Sequence, residues 1–100
     1  MKRIRIFEKA GAFAENKDVG SAIRTQDILP ALEQGEEVVL DFEHVETATQ
    51  SFVHSLISDV LRRYRDEALD RVAFKSCNET VKKMIGIVVD YMQDAMDTNT

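Results

Sequence analysis

The sequence predicts an α/β domain, a mixed sheet of about four strands, the later ones parallel, packed by about three helices. Three observations predict it. Val38, Val39, Leu40 and Phe42 form a short apolar run rich in β-branched residues, interrupted by Asp41, as expected of a strand covered on both faces. Phe52, Val53, Leu56, Ile57, Val60, Leu61 and Tyr64 then fall at helical spacing, one wide apolar stripe on an amphipathic helix. Arg71 to Lys75 alternates again, with Val72 and Phe74 on one side, and should lie parallel to the Val38 strand.

In chain order, Arg3 to Phe7 alternates arginine with isoleucine, a half-exposed strand with Ile4 and Ile6 inward. Lys9 to Gly20 contains two glycines, an Asn and an Asp and reads as turn or loop, within which Ala12 to Ala14 has the composition of a short second strand paired in a hairpin. Ser21 to Gln34 carries Ala22, Ile23, Ile28, Leu29 and Leu32. Pro30 decides where a regular helix begins there. With Asp27 as N-cap, Pro30 takes the third helical position, where no intrahelical N–H is required, and Ser21 to Gln26 becomes a separate turn or a distorted lead-in. Gly35 is placed to end that helix.

The helix beginning near Phe52 should turn His54, Ser55, Ser58, Asp59, Arg62, Arg63 and Arg65 to solvent, and the arginines of its last turn suit the negative end of the helix dipole. Thr47, Thr49 and Ser51 supply three hydroxyls at its start, and Thr47 with Gln50 has the spacing of a capping box. Asn78 is a good N-cap for a final helix with Val81, Met84, Ile85, Val88, Val89 and Met92 inward. Ile87 and Tyr91 lie off that stripe. Asp94 to Thr100 reads as a frayed polar tail.

Composition sets the class more than the function. The 100 residues are 44% hydrophobic and carry a formal net charge of −5, consistent with one domain from residue 1 to 100 and unfavourable for polyanion binding unless a basic patch forms locally. The single Cys77 has no disulfide partner in the chain, which fits a reducing cytoplasm. Neither a secretory signal nor a membrane span is expected, because no apolar run approaches the ~18 residues a span needs. Phosphate loops, nucleophile elbows, Cys/His pairs and spaced carboxylate pairs do not occur as motifs, so the expectation is a protein that is not an enzyme and needs no cofactor. Glu43, His44 and Glu46 are of metal-ligand type, but without a second His or Cys no metal site is expected.

Leu40-Asp41-Phe42-Glu43-His44-Val45-Glu46-Thr47-Ala48-Thr49-Gln50-Ser51-Phe52, with the helix, strand, Asn78 and Val81 to Ile85 pattern that follow, resembles the bacterial family of STAS-like domains of unknown function. Arg24-Thr25-Gln26 before a helix fits the same pattern, and the resemblance runs from about Gly20 to Met92. More distantly the stretch is similar to the STAS domain of anti-sigma-factor antagonists, whose loop carries an Asp-Ser-Ser-Gly motif. On that motif Thr49 stands at the Asp, Gln50 at the first Ser, Ser51 at the phosphorylated Ser and Phe52 at the Gly, so only Ser51 is retained. The resemblance implies a regulatory protein-interaction module whose partner is a histidine-kinase-like ATPase.

The binding surface expected from these residues comprises Glu43, His44, Glu46, Thr47, Thr49, Gln50, Ser51 and His54. Ser51 either caps the helix or accepts a phosphate, which the positive end of the helix would stabilise. Two other readings stay open. Arg3, Arg5, Arg62, Arg63 and Arg65 would form a nucleic-acid patch if they converged, and the Ile87 and Tyr91 face would suit a homodimer.

Overall fold

The computed structural model describes the backbone of residues 1–97 and the side chains of residues 1–94. Its elements are β1 (Lys2–Arg5), α1 (Ile6–Ala10), β2 (Phe13–Ala14), α2 (Lys17–Ile23), a π-helical turn (Arg24–Ile28), α3 (Leu29–Glu33), β3 (Val38–Asp41), β4 (Thr47–Ala48), α4 (Gln50–Tyr64), α5 (Asp66–Arg71), β5 (Val72–Lys75) and α6 (Glu79–Asp97). The class is α/β, as expected. Strands β1, β3 and β5 form one sheet in that order, and β2 with β4 forms a second; every pairing is parallel.

The short second strand forms, but not in a hairpin. Helix α1 intervenes after Arg5 and turns the chain, so β2 arrives beside β4, with Phe13 opposite Thr47 and Ala14 opposite Ala48. Ala14 and Ala48 are both buried, and their small side chains let this ribbon lie close on the core. The stretch from Lys9 to Gly20, read as loop, therefore holds the end of α1, β2 and the start of α2. Asn16 caps α2, accepting from the N–H of Asp18 at 2.9 Å and of Val19 at 3.4 Å.

Asp27 is not an N-cap. Helix runs on through it, and the chain from Lys17 to Glu33 is one helical rod broken by the π-helical turn. Pro30 supplies the reason: it lacks an N–H and crowds the preceding turn, and a locally widened turn relieves both. The Leu29 N–H bonds the Arg24 carbonyl in that wider pattern. The rod ends as expected at Gly35, at φ +83°, with the Gly35 N–H on the Leu32 carbonyl and the Glu36 N–H on the Ala31 carbonyl, each at 3.0 Å.

The parallel register puts Ile4, Leu40 and Phe74 on one sheet face with Val38 and Val72, and Arg3, Arg5, Val39, Asp41, Ala73 and Lys75 on the other. Among the described residues, the helices that build the main apolar cluster pack on the first face. There Ile4, Val38, Leu40 and Val72 join the main apolar cluster with Phe52, Leu56, Val81 and Val88. The second face carries exposed Arg3, Arg5, Ala73 and Lys75 beside buried Val39 and Asp41, so β3 is buried on both faces as its apolar run suggested, the second cover coming from side chains of the sheet itself.

Helix α4 is the hub of the covered side, flanked by α2 on one side and α6 on the other. Its expected solvent face is partly wrong for that reason. Ser58 is only 4% exposed, and His54, Ser55 and Asp59 are half-buried, because α2 lies along them. Gly20 makes the approach possible: a Cβ there would come within 2.2 Å of Ser55 Oγ and 3.0 Å of the Phe52 carbonyl oxygen. Arg24 fastens the pair, donating from Nη1 to the Ser55 carbonyl at 2.8 Å and lying 3.5 Å from the Asp59 carboxylate. On the other flank α6 presents Val81, Ile85, Val88 and Met92, all buried, while Ile87 is 50% and Tyr91 60% exposed. Helix α6 continues to Asp97, into the stretch read as a tail, and residues 98–100 lie outside those described.

Candidate functional site

The loop after β3 begins with Phe42, fully buried, whose N–H bonds the Lys75 carbonyl at 2.9 Å and so ties the loop to the end of β5. Asp41, at the strand end, is 3% exposed. Its Oδ1 accepts the Glu43 N–H at 2.9 Å and its Oδ2 accepts from Arg3 Nε at 3.0 Å and from Arg3 Nη2. The Glu43 N–H and then Arg3 hold this carboxyl below its ordinary range, against the opposing effect of burial. Asp41 is therefore a structural carboxylate that fixes the loop's first turn.

Beyond it His44 takes a positive φ of 71°, and its ring meets Phe7 edge-on at 5.6 Å between centroids. Glu43 and His44 lie 3.2 Å apart and are both exposed. With Arg5, Phe7, Glu8 and Asp41 they line a cleft of about 250 Å³ at the sheet's C-terminal end. Among the described residues no three His, Cys, Asp or Glu side chains are grouped to hold a metal ion. Glu46 and Thr47 face solvent, and the loop is held from below by Asn78, whose Nδ2 donates to the Glu46 carbonyl at 2.9 Å while its Oδ1 caps α6 through the Val81 N–H at 2.8 Å.

The capping box drawn from Thr47 and Gln50 does not form. Thr47 is committed to β4, two residues too early, and Thr49 is the N-cap, accepting the Phe52 N–H at 3.2 Å. The Thr49 N–H itself bonds the Ala14 carbonyl at 2.9 Å, so β2 fixes where α4 starts. Ser51 is then the second residue of the 15-residue helix and is exposed. It lies with Lys17, Gln50, His54 and Ser55 along a shallow groove of about 320 Å³ where the first turns of α2 and α4 meet.

The expected surface thus divides into two parts, Glu43 and His44 at the cleft and Gln50, Ser51 and His54 at the groove, joined by Glu46, Thr47 and Thr49 on the β2–β4 ribbon. Sequence reading missed Lys17, Phe7 and Phe13. Asn16 followed by Asp18 is a helix-start signal that puts Lys17 at the head of a helix, whereas nothing local shows that this helix lies beside α4 or that α1 and β2 carry their aromatics to this loop.

The arginines do not form one patch. Arg3 and Arg5 stand on β1 with Asp41 and Glu8 as partners, while Arg62 pairs with Asp59 at 3.0 Å and Arg63 lies 3.7 Å from Glu33, at the far end of α4. Cys77 is half-buried, its Sγ 3.8 Å from the Lys75 carbonyl oxygen, and burial pushes its thiol pKa up. Among the described residues no helix is long and apolar enough to cross a membrane.

No curated protein and no solved structure gives a significant match to the chain. The family model described as a STAS-like domain of unknown function matches residues 20–82, from the α2–α4 contact at Gly20 through β3, the loop, α4 and β5 into the first turn of α6. Matched over more than half its length, including the loop and helix start from Glu43 to His54, the chain belongs to the family of STAS-like domains of unknown function.

Proposed function

We propose that the protein is a cytoplasmic, non-enzymatic regulatory module whose partner-binding surface runs from Glu43 to His54, and that a histidine-kinase-like ATPase recognises it and phosphorylates Ser51. The observation that carries this reading is the setting of Ser51: an exposed hydroxyl at the second position of a capped helix, in a groove with Lys17 and His54. In the transfer the Ser51 oxygen takes the γ-phosphoryl group of ATP, releasing ADP and the hydroxyl proton. The dianion formed would be held by the positive end of α4 and by Lys17, and would change the surface by nearly two charges.

The test is incubation with any histidine-kinase-like ATPase encoded in the neighbourhood of this chain, with ATP and magnesium, followed by mass spectrometry and calorimetry. Phosphate on Ser51, lost in Ser51→Ala, supports the switch. Binding without phosphate leaves a protein-interaction module and removes the switch. Neither binding nor phosphate with any neighbouring partner removes both.

A second reading, a homodimer through α6, draws support from Ile87 and Tyr91, which lie one turn apart and are both half or more exposed. Ile87→Glu should convert a dimer to a monomer in sedimentation. A monomeric wild-type chain at high concentration would end that reading. The nucleic-acid reading has no such support, since four of its five arginines each lie against a carboxylate.

A further inference from the structure

Two aromatic side chains stand exposed beside the candidate loop. Phe13 is 60% and Phe7 41% exposed. Each touches a different part of the proposed partner surface: Phe7 packs edge-on to His44, and Phe13 lies opposite Thr47 in the β2–β4 pairing. Both side chains belong to the segment that joins β1 to α2, so they border the loop without being part of it.

We propose that Phe7 and Phe13 are the apolar anchors of this surface and that its occupant is a segment of a partner protein bearing an apolar side chain flanked by lysine or arginine. The proposal rests on the reading of Glu43 to His54 as a partner-binding surface. Exposed aromatics rimmed by polar groups mark interaction sites, because they give a large apolar contact with few rotatable bonds to freeze.

The charge of the occupant follows from the rim. Glu15 is exposed two residues beyond Phe13, just past the end of β2, and Glu43 and Glu46 are exposed in the loop. Of the basic groups near them, Arg5 lies against Glu8, Arg3 against Asp41 and Lys9 against Asp27, while Lys17 stands at the groove with Ser51. A basic segment would thus meet an acidic rim around an apolar centre, the complementarity that raises association rate and fixes orientation. The β2–β4 ribbon leads from Phe13 past Thr49 to Ser51, so a partner anchored here would have its far end at the groove.

The experiment is selection of phage-displayed 12-residue peptides on the full chain, followed by synthesis of the enriched peptides, affinity measurement and mapping by amide chemical shifts. The expected peptides combine an apolar residue with net positive charge. They should shift Phe7 to Ala14 and Glu43 to Thr49, lose about tenfold in affinity against Phe13→Ser and weaken severalfold against Glu46→Lys, which alters no buried group. Peptides that shift Glu43 to Ser51 yet bind Phe7→Ser and Phe13→Ser unchanged would overturn the anchors while leaving the loop as the partner surface. Enrichment of acidic or uncharged peptides would overturn the assigned occupant. An empty selection, or binding confined to the Leu69, Phe74, Val89 side of the molecule, would overturn the anchors and count against the loop as well.

Discussion

Helix α4 is held on its two flanks by opposite means. Toward α6 the contact is apolar and periodic, with Val81, Ile85, Val88 and Met92 against the Phe52 to Leu61 stripe. Toward α2 it is close, small and polar: Gly20 against Ser55, Arg24 on the Ser55 carbonyl, and Ser58 buried. The first flank is built from side-chain volume and the second from the lack of it. The sheet repeats the contrast, with helices over Ile4, Leu40 and Val72 on one face and a lid of arginine and lysine over Val39 and Asp41 on the other. An apolar contact tolerates small rearrangement, whereas a close one depends on single atoms.

The largest effect should come from the shared stripe itself. Leu56 is fully buried, and Leu56→Ala should cost about 2–5 kcal/mol in urea unfolding, the lost transfer energy plus the cavity left behind. A cost under about 1 kcal/mol would mean that the core can collapse around the gap.

The α2 flank is tested next, by adding one methyl group rather than removing three carbons. Gly20→Ala places a carbon where Ser55 Oγ stands, and overpacking of this kind costs about 1–3 kcal/mol. Ser55→Ala in the same chain removes the nearest clash and should recover part of the loss, although the Phe52 carbonyl still lies close. The sharper outcome is the coupling: two changes that add independently would show that α2 does not lie on Ser55.

On the sheet's open face the corresponding test is acid. Asp41 is held below the ordinary carboxylate value of 3.8 by the Glu43 N–H and Arg3. Its contribution is therefore fully present above about pH 4 and is lost as pH falls further toward its folded value. Asp41→Asn should lower stability by about 1–3 kcal/mol at neutral pH, the cost of leaving the Arg3 and Glu43 donors poorly matched. The gap between variant and wild type should be flat from neutral pH down to about 5 and narrow below 4. A gap that widens on acidification would reverse the assigned direction.

The contrast also explains what was legible in the sequence. Val38 to Asp41, Val72 to Lys75, the stripes of α4 and α6, and the ends at Gly35 and Asn78 are written in apolar period and turn chemistry, and they appear where expected. Lys17 to Ile23 was missed because Gly20 and Ser21 look like loop residues until a second helix needs to approach them. Ser55 and Ser58 read as solvent-facing for the same reason: a polar residue under a close helix contact carries no local mark of burial. Of the candidate site, the loop and the exposed Ser51 were legible, since capping hydroxyls between a strand and an amphipathic helix define a helix start. The aromatics and Lys17 were not, because long-range topology brings them there.

The smallest predicted effect concerns that helix start. If Thr47 and Gln50 formed a capping box, Thr47→Ala would remove the cap and Thr49→Ala would be mild. With Thr49 as the cap, the order reverses: Thr49→Ala leaves the Phe52 N–H without its acceptor and should cost about 1 kcal/mol. Thr47→Ala exchanges one exposed strand residue for another and should stay within about 0.5 kcal/mol. The pair of variants also separates fold from function. Thr47 lies opposite Phe13 on the proposed docking ribbon, so Thr47→Ala should alter the proposed partner binding more than stability, while Thr49→Ala, which loosens the turn that presents Ser51, should slow the proposed phosphorylation and lower stability together. Equal stability losses from the two changes would mean that the ribbon and the cap act as one unit, and the line drawn here between the packed body of α4 and its exposed start would have to move to Thr47.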